Sequence, residues 1–269
     1  MTIYNFDRPI IIGERINPTG KKKLAEAYSN GDMQLIMQEA VQQANAGADM
    51  LDVNAGVAGL DEPKLLCDAI NAIQSVCDLP LVIDSSDINA LKQAAKLCKK
   101  PPVINSVNAS EESLGTVLDI AADSSAMLIC LAMDENGIPS TADERLAMAA
   151  KIAERANAKG ICTDRLLFDA LTTAACMGDG GPEVTLQTLG EIKRTLGAKT
   201  VLGVSNISFG LPCREELGSA FLTAALYAGL DAAIINPLSE RMMSAYRSYL
   251  ALKGIDEFCL GYIEHFTSI

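Results

Sequence analysis

The sequence has no tryptophan, a single histidine, six tyrosines and six phenylalanines. Aromatic platforms for stacking nucleic acid bases are therefore scarce. The one histidine, His265, lies close to the end of the sequence. Nucleophilic catalysis by Ser-His or Cys-His pairs has almost nothing to work with, and a zinc site lacks its usual imidazole ligands. None of the eight cysteines, at 67, 77, 98, 130, 162, 176, 213 and 259, falls in a C-x-x-C pair. Several lie inside apolar patterns, so they read as buried, reduced thiols of a cytoplasmic protein. Basic residues are outnumbered, 22 against 34 acids, giving a net charge of −12. Such a surface repels nucleic acid and acidic membranes. The only run of positive charge, Lys21-Lys22-Lys23, reads as a solvated loop or helix start. No run of eighteen apolar residues exists to span a bilayer. Residues 1–9 carry Asp7 and no basic flank before an apolar core, unlike a secretory leader.

What is present is aliphatic, with 49% of residues apolar. Short Val/Ile/Leu runs at 9–14, 49–56, 81–84, 102–105, 126–134, 165–169, 199–206 and 231–237 read as strands buried on both faces. Between them lie stretches with helical spacing. Met33 to Ala46 is stopped by Gly47, and Pro63 opens a helix to about Val76. Asp87 N-caps a helix through Cys98, and Ser110 to Ser113 starts another with acid in its first turn. Further helices run from Thr141 to about Ala158, from a glycine-rich loop at 178–182 to about Leu196, from Cys213 to Ala228, and from Leu238 to Leu252. Eight strand–helix alternations without a linker favour one domain over residues 1–269, a single-domain α/β (β/α)8 TIM barrel, over an open doubly wound sheet. Residues beyond about Lys253 form a tail that packs on the barrel or on a partner.

Most strands end in a polar residue, and in parallel α/β folds that end is where ligands bind. The carboxyl face would gather Glu14, Asn17, Asp52, Asn54, Asp84, Asn105, Asn108, Asp134, Asp169, Asn206 and Asn236. Carboxylates accept forked pairs of N–H donors, and Asn amides both donate and accept. Together they suit a flat heterocycle with a mixed edge, such as a 2-amino-4-oxopyrimidine. Asp and Asn also follow strands because they form turns and cap helices. A magnesium or calcium site is a competing use of the carboxylates. The acids are spread over separate strands, however, so no metal is assigned. The loop at 178–181 follows neither the Walker nor the G-x-G-x-x-G spacing.

The ordered segments Gly13-Glu14-Arg15-Ile16-Asn17, Asp52-Val53-Asn54, Ile83-Asp84-Ser85-Ser86, Ile104-Asn105-Ser106-Val107-Asn108, Met133 to Pro139 and Leu202 to Ser208 give the chain its resemblance. It resembles the pterin-binding barrel family. Within that family it is most like the methyltetrahydrofolate:corrinoid methyltransferases, with the folate domain of cobalamin-dependent methionine synthase a close second. The resemblance implies methyl transfer between N5 of 5-methyltetrahydrofolate and the cobalt of a corrinoid (cobalamin), in either direction. It implies that Asp84, Asn105 and Asp169 hold the pterin edge and that Gly203 and Ser205 shape the pocket floor. Asn206 would bond N5, acting with Asp169 in catalysis, and Arg214 would contact folate. Glu14, Asn17, Asp52 and Asn54 would stand behind these or face the corrinoid. Phe209 occupies a position where some corrinoid methyltransferases carry glutamine. No Asp-x-His-x-x-Gly loop is present, so the corrinoid would come on a separate corrinoid-binding protein. A homodimer is the expected assembly. The competing readings are a non-catalytic folate-binding subunit, dihydropteroate synthase and a metal-dependent aldolase-type barrel. The synthase would need an Arg-x-His near the last strand, where this chain has Ile235-Asn236-Pro237.

Overall fold

The computed structural model describes residues 4–178 and 180–267. In chain order the elements are β1 (Ile10–Ile16), α1 (Lys22–Asn30), α2 (Met33–Asn45), β2 (Met50–Asn54), α3 (Glu62–Val76), β3 (Leu81–Asp84), α4 (Ile88–Leu97), β4 (Val103–Asn108), α5 (Glu111–Ser124) and β5 (Met127–Leu131). They continue with α6 (Ala142–Ala158), β6 (Leu166–Asp169), α7 (Gly181–Leu196), β7 (Lys199–Gly203), α8 (Arg214–Ala228), β8 (Ala232–Ile235), α9 (Glu240–Leu252) and α10 (Leu260–Thr267). The strands are parallel, pair in sequence order and close through β1 against β8. The expected (β/α)8 barrel is therefore the fold.

Side chains alternate across each strand, and the alternation makes two cores. Ile12, Met50, Val82, Val103, Ile129 and Leu167 point inward and fill the barrel. Ile11, Leu51, Ile83, Ile104, Leu128 and Phe168 point outward beneath the helices. Two residues beyond an inward apolar residue, the next inward position is at the carboxyl end. That parity delivers Glu14 after Ile12, Asp52 and Asn54 after Met50, Asp84 after Val82, Asn105 after Val103, Asp169 after Leu167 and Gly203 after Val201. The helices begin where side chains accept their free N–H groups. Asp87 accepts from Asn89 and Ala90, Ser110 from Ser113, and Thr141 forms a capping box with Glu144.

Several expectations need correction. The lysine run is a helix start, since α1 begins at Lys22 with Lys22 and Lys23 exposed, but it is not solvated throughout, because the N-cap residue Lys21 is half-buried. Its Nζ donates to the carbonyls of Glu14 and Arg15 at 3.1 and 2.9 Å, because the β1–α1 loop folds back over β1. Strand β7 stops at Gly203, and Val204–Ser208 forms a 3-10 turn instead of extended chain. Strand β4 continues to Asn108, past the expected end at Asn105. The cysteines are all free, but Cys162, Cys176, Cys213 and Cys259 are exposed, since they lie in loops and at helix starts; only Cys130 is fully buried. The glycine-rich loop includes residue 179, outside the described residues. The tail forms α10, whose His265 Nε2 lies 3.4 Å from Ser244 Oγ on α9.

Candidate active site

The inward polar residues form a ring at the carboxyl end of the barrel, several of them joined in pairs by hydrogen bonds. Asn54 and Asp84 are register partners on β2 and β3, and Asn54 Nδ2 donates to Asp84 Oδ2 at 3.1 Å. Asp84 and Asn105 are register partners on β3 and β4. Asn105 Nδ2 donates across to Asp52 Oδ1 at 3.2 Å. On the far side, Ser205 Oγ donates to Glu14 Oε1 at 2.8 Å, joining the turn after β7 to β1. Asp169 ends β6 and accepts the Leu171 N–H at 2.7 Å.

Burial sets the electrostatics of this ring. It pushes the Asp52 carboxyl well above the ordinary range. The neighbouring Asp84 charge adds to that shift, and the Asn105 hydrogen bond opposes it. Burial raises Asp84 against the hydrogen bond from Asn54. Burial also pushes Asp169 up to about 6, opposed by the Leu171 N–H and by Arg145. Glu14 is raised by burial as well, while Ser205, Lys21, Arg214 and Arg15 pull it back. Lys21 is lowered, chiefly by burial and then by Arg15.

Two cavities open at this end. One, of about 400 Å³, is bordered by Asp84, Asn105, Ser106 and Asn108 between β3 and β4. The other, of about 270 Å³, is bordered by Glu14, Lys21, Ser205, Arg214 and Asn236. The acceptors bordering these cavities can hold a planar molecule that carries N–H groups along one edge, and Asn206, which borders neither, is exposed nearby on the turn after β7. Among the described residues, no group of three or more His, Cys, Asp or Glu is placed to hold a metal ion.

The ring collects Glu14, Asp52, Asn54, Asp84, Asn105, Asp169, Gly203, Ser205 and Asn206. Asn17 stands apart, its Oδ1 accepting the Thr19 N–H at 2.9 Å within its own loop. Asn108, Asp134 and Asn236 likewise accept the N–H two residues on. Arg214 turns toward the 3-10 turn. Its Nη2 donates to Ser205 O at 2.9 Å, and its guanidinium lies 5.5 Å from the centre of the Phe209 ring.

Three supporting residues escaped the sequence reading. Lys21 was one. Arg145 on α6, only 2% exposed, donates to the carbonyls of Pro139, Ala170 and Leu171 and so anchors the loop that follows Asp169. Gln43, fully buried, accepts the Arg15 N–H at 2.9 Å. Its Oε1 would lie 2.4 Å from any Cβ at position 13, which reserves that place for glycine. A signal for Gln43 existed, since it continues the apolar stripe Ile36, Ala40 of α2 as a polar residue on a buried face.

The family profile described as pterin binding enzyme matches residues 13–236. The chain is 32% identical over 265 residues to the methylcorrinoid:tetrahydrofolate methyltransferase of Eubacterium limosum, covering 96% of each. It is 30% identical over 241 residues to the methionine synthase of Mycobacterium leprae; the match covers 84% of this chain but 20% of that longer protein. A solved dihydropteroate synthase of Xanthomonas albilineans superposes with a TM-score of 0.71 at 19% identity, covering 94% of this chain and 97% of that one. At that identity the likeness is one of fold.

Proposed function

The chain belongs to the family of pterin-binding enzymes, and we propose that it moves a methyl group between N5 of 5-methyltetrahydrofolate and the cobalt of a protein-bound corrinoid. The observation that carries the reading is the full-length match to a methylcorrinoid:tetrahydrofolate methyltransferase, with the ring of acids and amides lying inside the matched span. Folate is a substrate here, and the corrinoid arrives as a co-substrate on a partner protein.

In this reading the pterin edge lies against Asp84, Asn105 and Asp169. The 2-amino and N3 hydrogens are donors and need acceptors. Asp84 keeps one oxygen beyond the bond from Asn54, and Asn105 keeps its carbonyl oxygen because its amide nitrogen faces Asp52. Asn206 sits at the exposed side, where N5 would lie. Cobalt(I) supplies the electron pair that attacks the methyl carbon. The C–N bond breaks with its electrons passing to N5, which takes up a proton from solvent, and the cobalt leaves as methylcobalt(III). An amine is a poor leaving group, so a hydrogen bond or proton at N5 lowers the barrier. A neutral amide can stabilise developing charge there without titrating. The reverse reaction uses the same contacts.

A homodimer and a cytoplasmic location belong to the same proposal. The dimer is supported by α10, which buries none of its residues and leaves Leu260, Ile263 and Phe266 exposed. Light scattering of the purified protein tests that assembly. The function itself is tested by anaerobic spectroscopy. Free cob(I)alamin mixed with methyltetrahydrofolate and the protein should convert to methylcobalamin. Methylcobalamin with tetrahydrofolate should run backward. Folate binding with no methylation in either direction would favour a non-catalytic binding subunit.

A further inference from the structure

Asn206 makes no side-chain hydrogen bond among the described residues. Its amide folds back so that Nδ2 lies 3.0 Å from where a Cβ on Gly203 would stand. Its position is therefore inherited from the backbone of the 3-10 turn at Val204–Ser208. That turn is held in three ways. Val204 and Ile207 bury their side chains in the outer core. Arg214 donates to Ser205 O from behind. Ser205 Oγ reaches forward to Glu14 Oε1 at 2.8 Å. Although the turn also packs against the outward face of the barrel, the last is the one side-chain hydrogen bond among these that reaches a strand. It also joins strands that are not neighbours, because β8 pairs between β7 and β1.

We infer that Glu14 is a positioning residue, fixing through Ser205 the turn that presents Asn206. This rests on the methyl-transfer reading above and deepens it. A carboxylate suits the task because hydrogen bonds to ionised acceptors are shorter and stronger than neutral ones. Lys21, Arg214 and Arg15 surround Glu14 and favour its ionised form against the pull of burial. Glu14 is itself held at its backbone, since Lys21 Nζ binds the Glu14 carbonyl. The bond thus runs from a fixed strand end to a turn carrying an otherwise unsupported amide.

Glu14→Ala, Glu14→Gln and Ser205→Ala, each alone and combined with Asn206→Ala, test the inference. The assay uses methyltetrahydrofolate and free cob(I)alamin, alongside hydrogen–deuterium exchange over residues 203–209. Loss of one charge-assisted hydrogen bond predicts that Glu14→Ala and Ser205→Ala lower kcat by about 10- to 100-fold while the folate Kd moves less than about threefold. Glu14→Gln keeps an acceptor for Ser205 and should recover most of the rate. In the Asn206→Ala background, Glu14→Ala should change kcat by less than about twofold, because residues acting through one another are not additive. Fully additive losses would overturn the inference. So would a large rise in Kd with kcat intact, which would make Glu14 a direct folate contact. The exchange arm stands without turnover. Both alanine variants should speed exchange across the turn by about tenfold, and unchanged exchange would overturn the inference even if the wild type transferred no methyl group.

Discussion

Asn105 on β4 donates to Asp52 on β2 across the intervening strand, Nδ2 to Oδ1 at 3.2 Å. The contact fixes which end of the Asn105 amide looks into the cavity, leaving its oxygen outward as an acceptor. It also divides the work of the two neighbouring acids. Asp52 is 4% exposed and is driven toward its protonated form by burial and by the charge on Asp84. Asp84 borders the larger cavity.

That division predicts unequal substitutions. Asp84→Asn replaces an acceptor with a part-donor and should weaken methyltetrahydrofolate binding by about 10- to 100-fold, the scale of a hydrogen bond to a charged group. Asp52→Asn resembles the protonated acid and should change the affinity by less than about threefold. Isothermal titration of both variants measures the contrast. Equal losses would refute it.

Gly203 is needed for the space that it leaves. Gly203→Ala would set a methyl group 3.0 Å from Asn206 Nδ2 and push the amide aside. The backbone there is not left-handed (φ −74°), so folding should be little affected. The expected result is a kcat lowered toward that of Asn206→Ala, with a melting temperature shifted by no more than a few degrees. Steady-state rates and thermal unfolding on the same preparation check it.

Asp169 gives the pH dependence. Burial raises its carboxyl to about 6, above the ordinary 3.8. The folded state therefore binds more protons than the unfolded chain between those values, and this group's contribution to stability falls as pH rises through that window. Ligand binding follows the opposite course, because a pterin edge of N–H donors needs the ionised acid. The Kd for methyltetrahydrofolate should rise about tenfold per pH unit below the Asp169 value and be flat above it. Titrations between about pH 5 and 8 measure the slope, and Asp169→Asn should flatten it.

Arg145 carries the stability prediction. Its buried guanidinium donates to three loop carbonyls, at 2.9 Å for Pro139 and 2.8 Å for both Ala170 and Leu171. Arg145→Leu would remove all three bonds, leaving Leu171 O with only the bond from Thr185 Oγ1, and should destabilise the protein by roughly 3–5 kcal/mol in urea unfolding. The loop after Asp169 should loosen with it, weakening folate binding even at temperatures where the variant is folded.

The barrel was legible because its strands are short aliphatic runs at even spacing, and the ring of Asp84, Asn105 and Asp169 was legible because each ends such a run. The same rule over-collected. Asn17 and Asp134 follow strands too, yet each accepts the N–H two residues on, shapes its own loop and borders neither cavity. Asn108 and Asn236 do both, accepting such an N–H while bordering a cavity, and no local pattern separates the two uses. The turn at Val204–Ser208 was hidden because Val204-Ser205-Asn206 continues the look of a strand. Its bond to Glu14 spans 191 residues of sequence, a pairing that only the closed barrel reveals.

The most direct test of the account is a crystal structure with 5-methyltetrahydrofolate bound. The account predicts the pterin in the barrel mouth, its N–H edge on Asp84, Asn105 and Asp169, with N5 and its methyl group beside Asn206 and open to solvent. A pterin bound elsewhere, or one lying in the mouth with its methyl group buried toward Asp52, would contradict it.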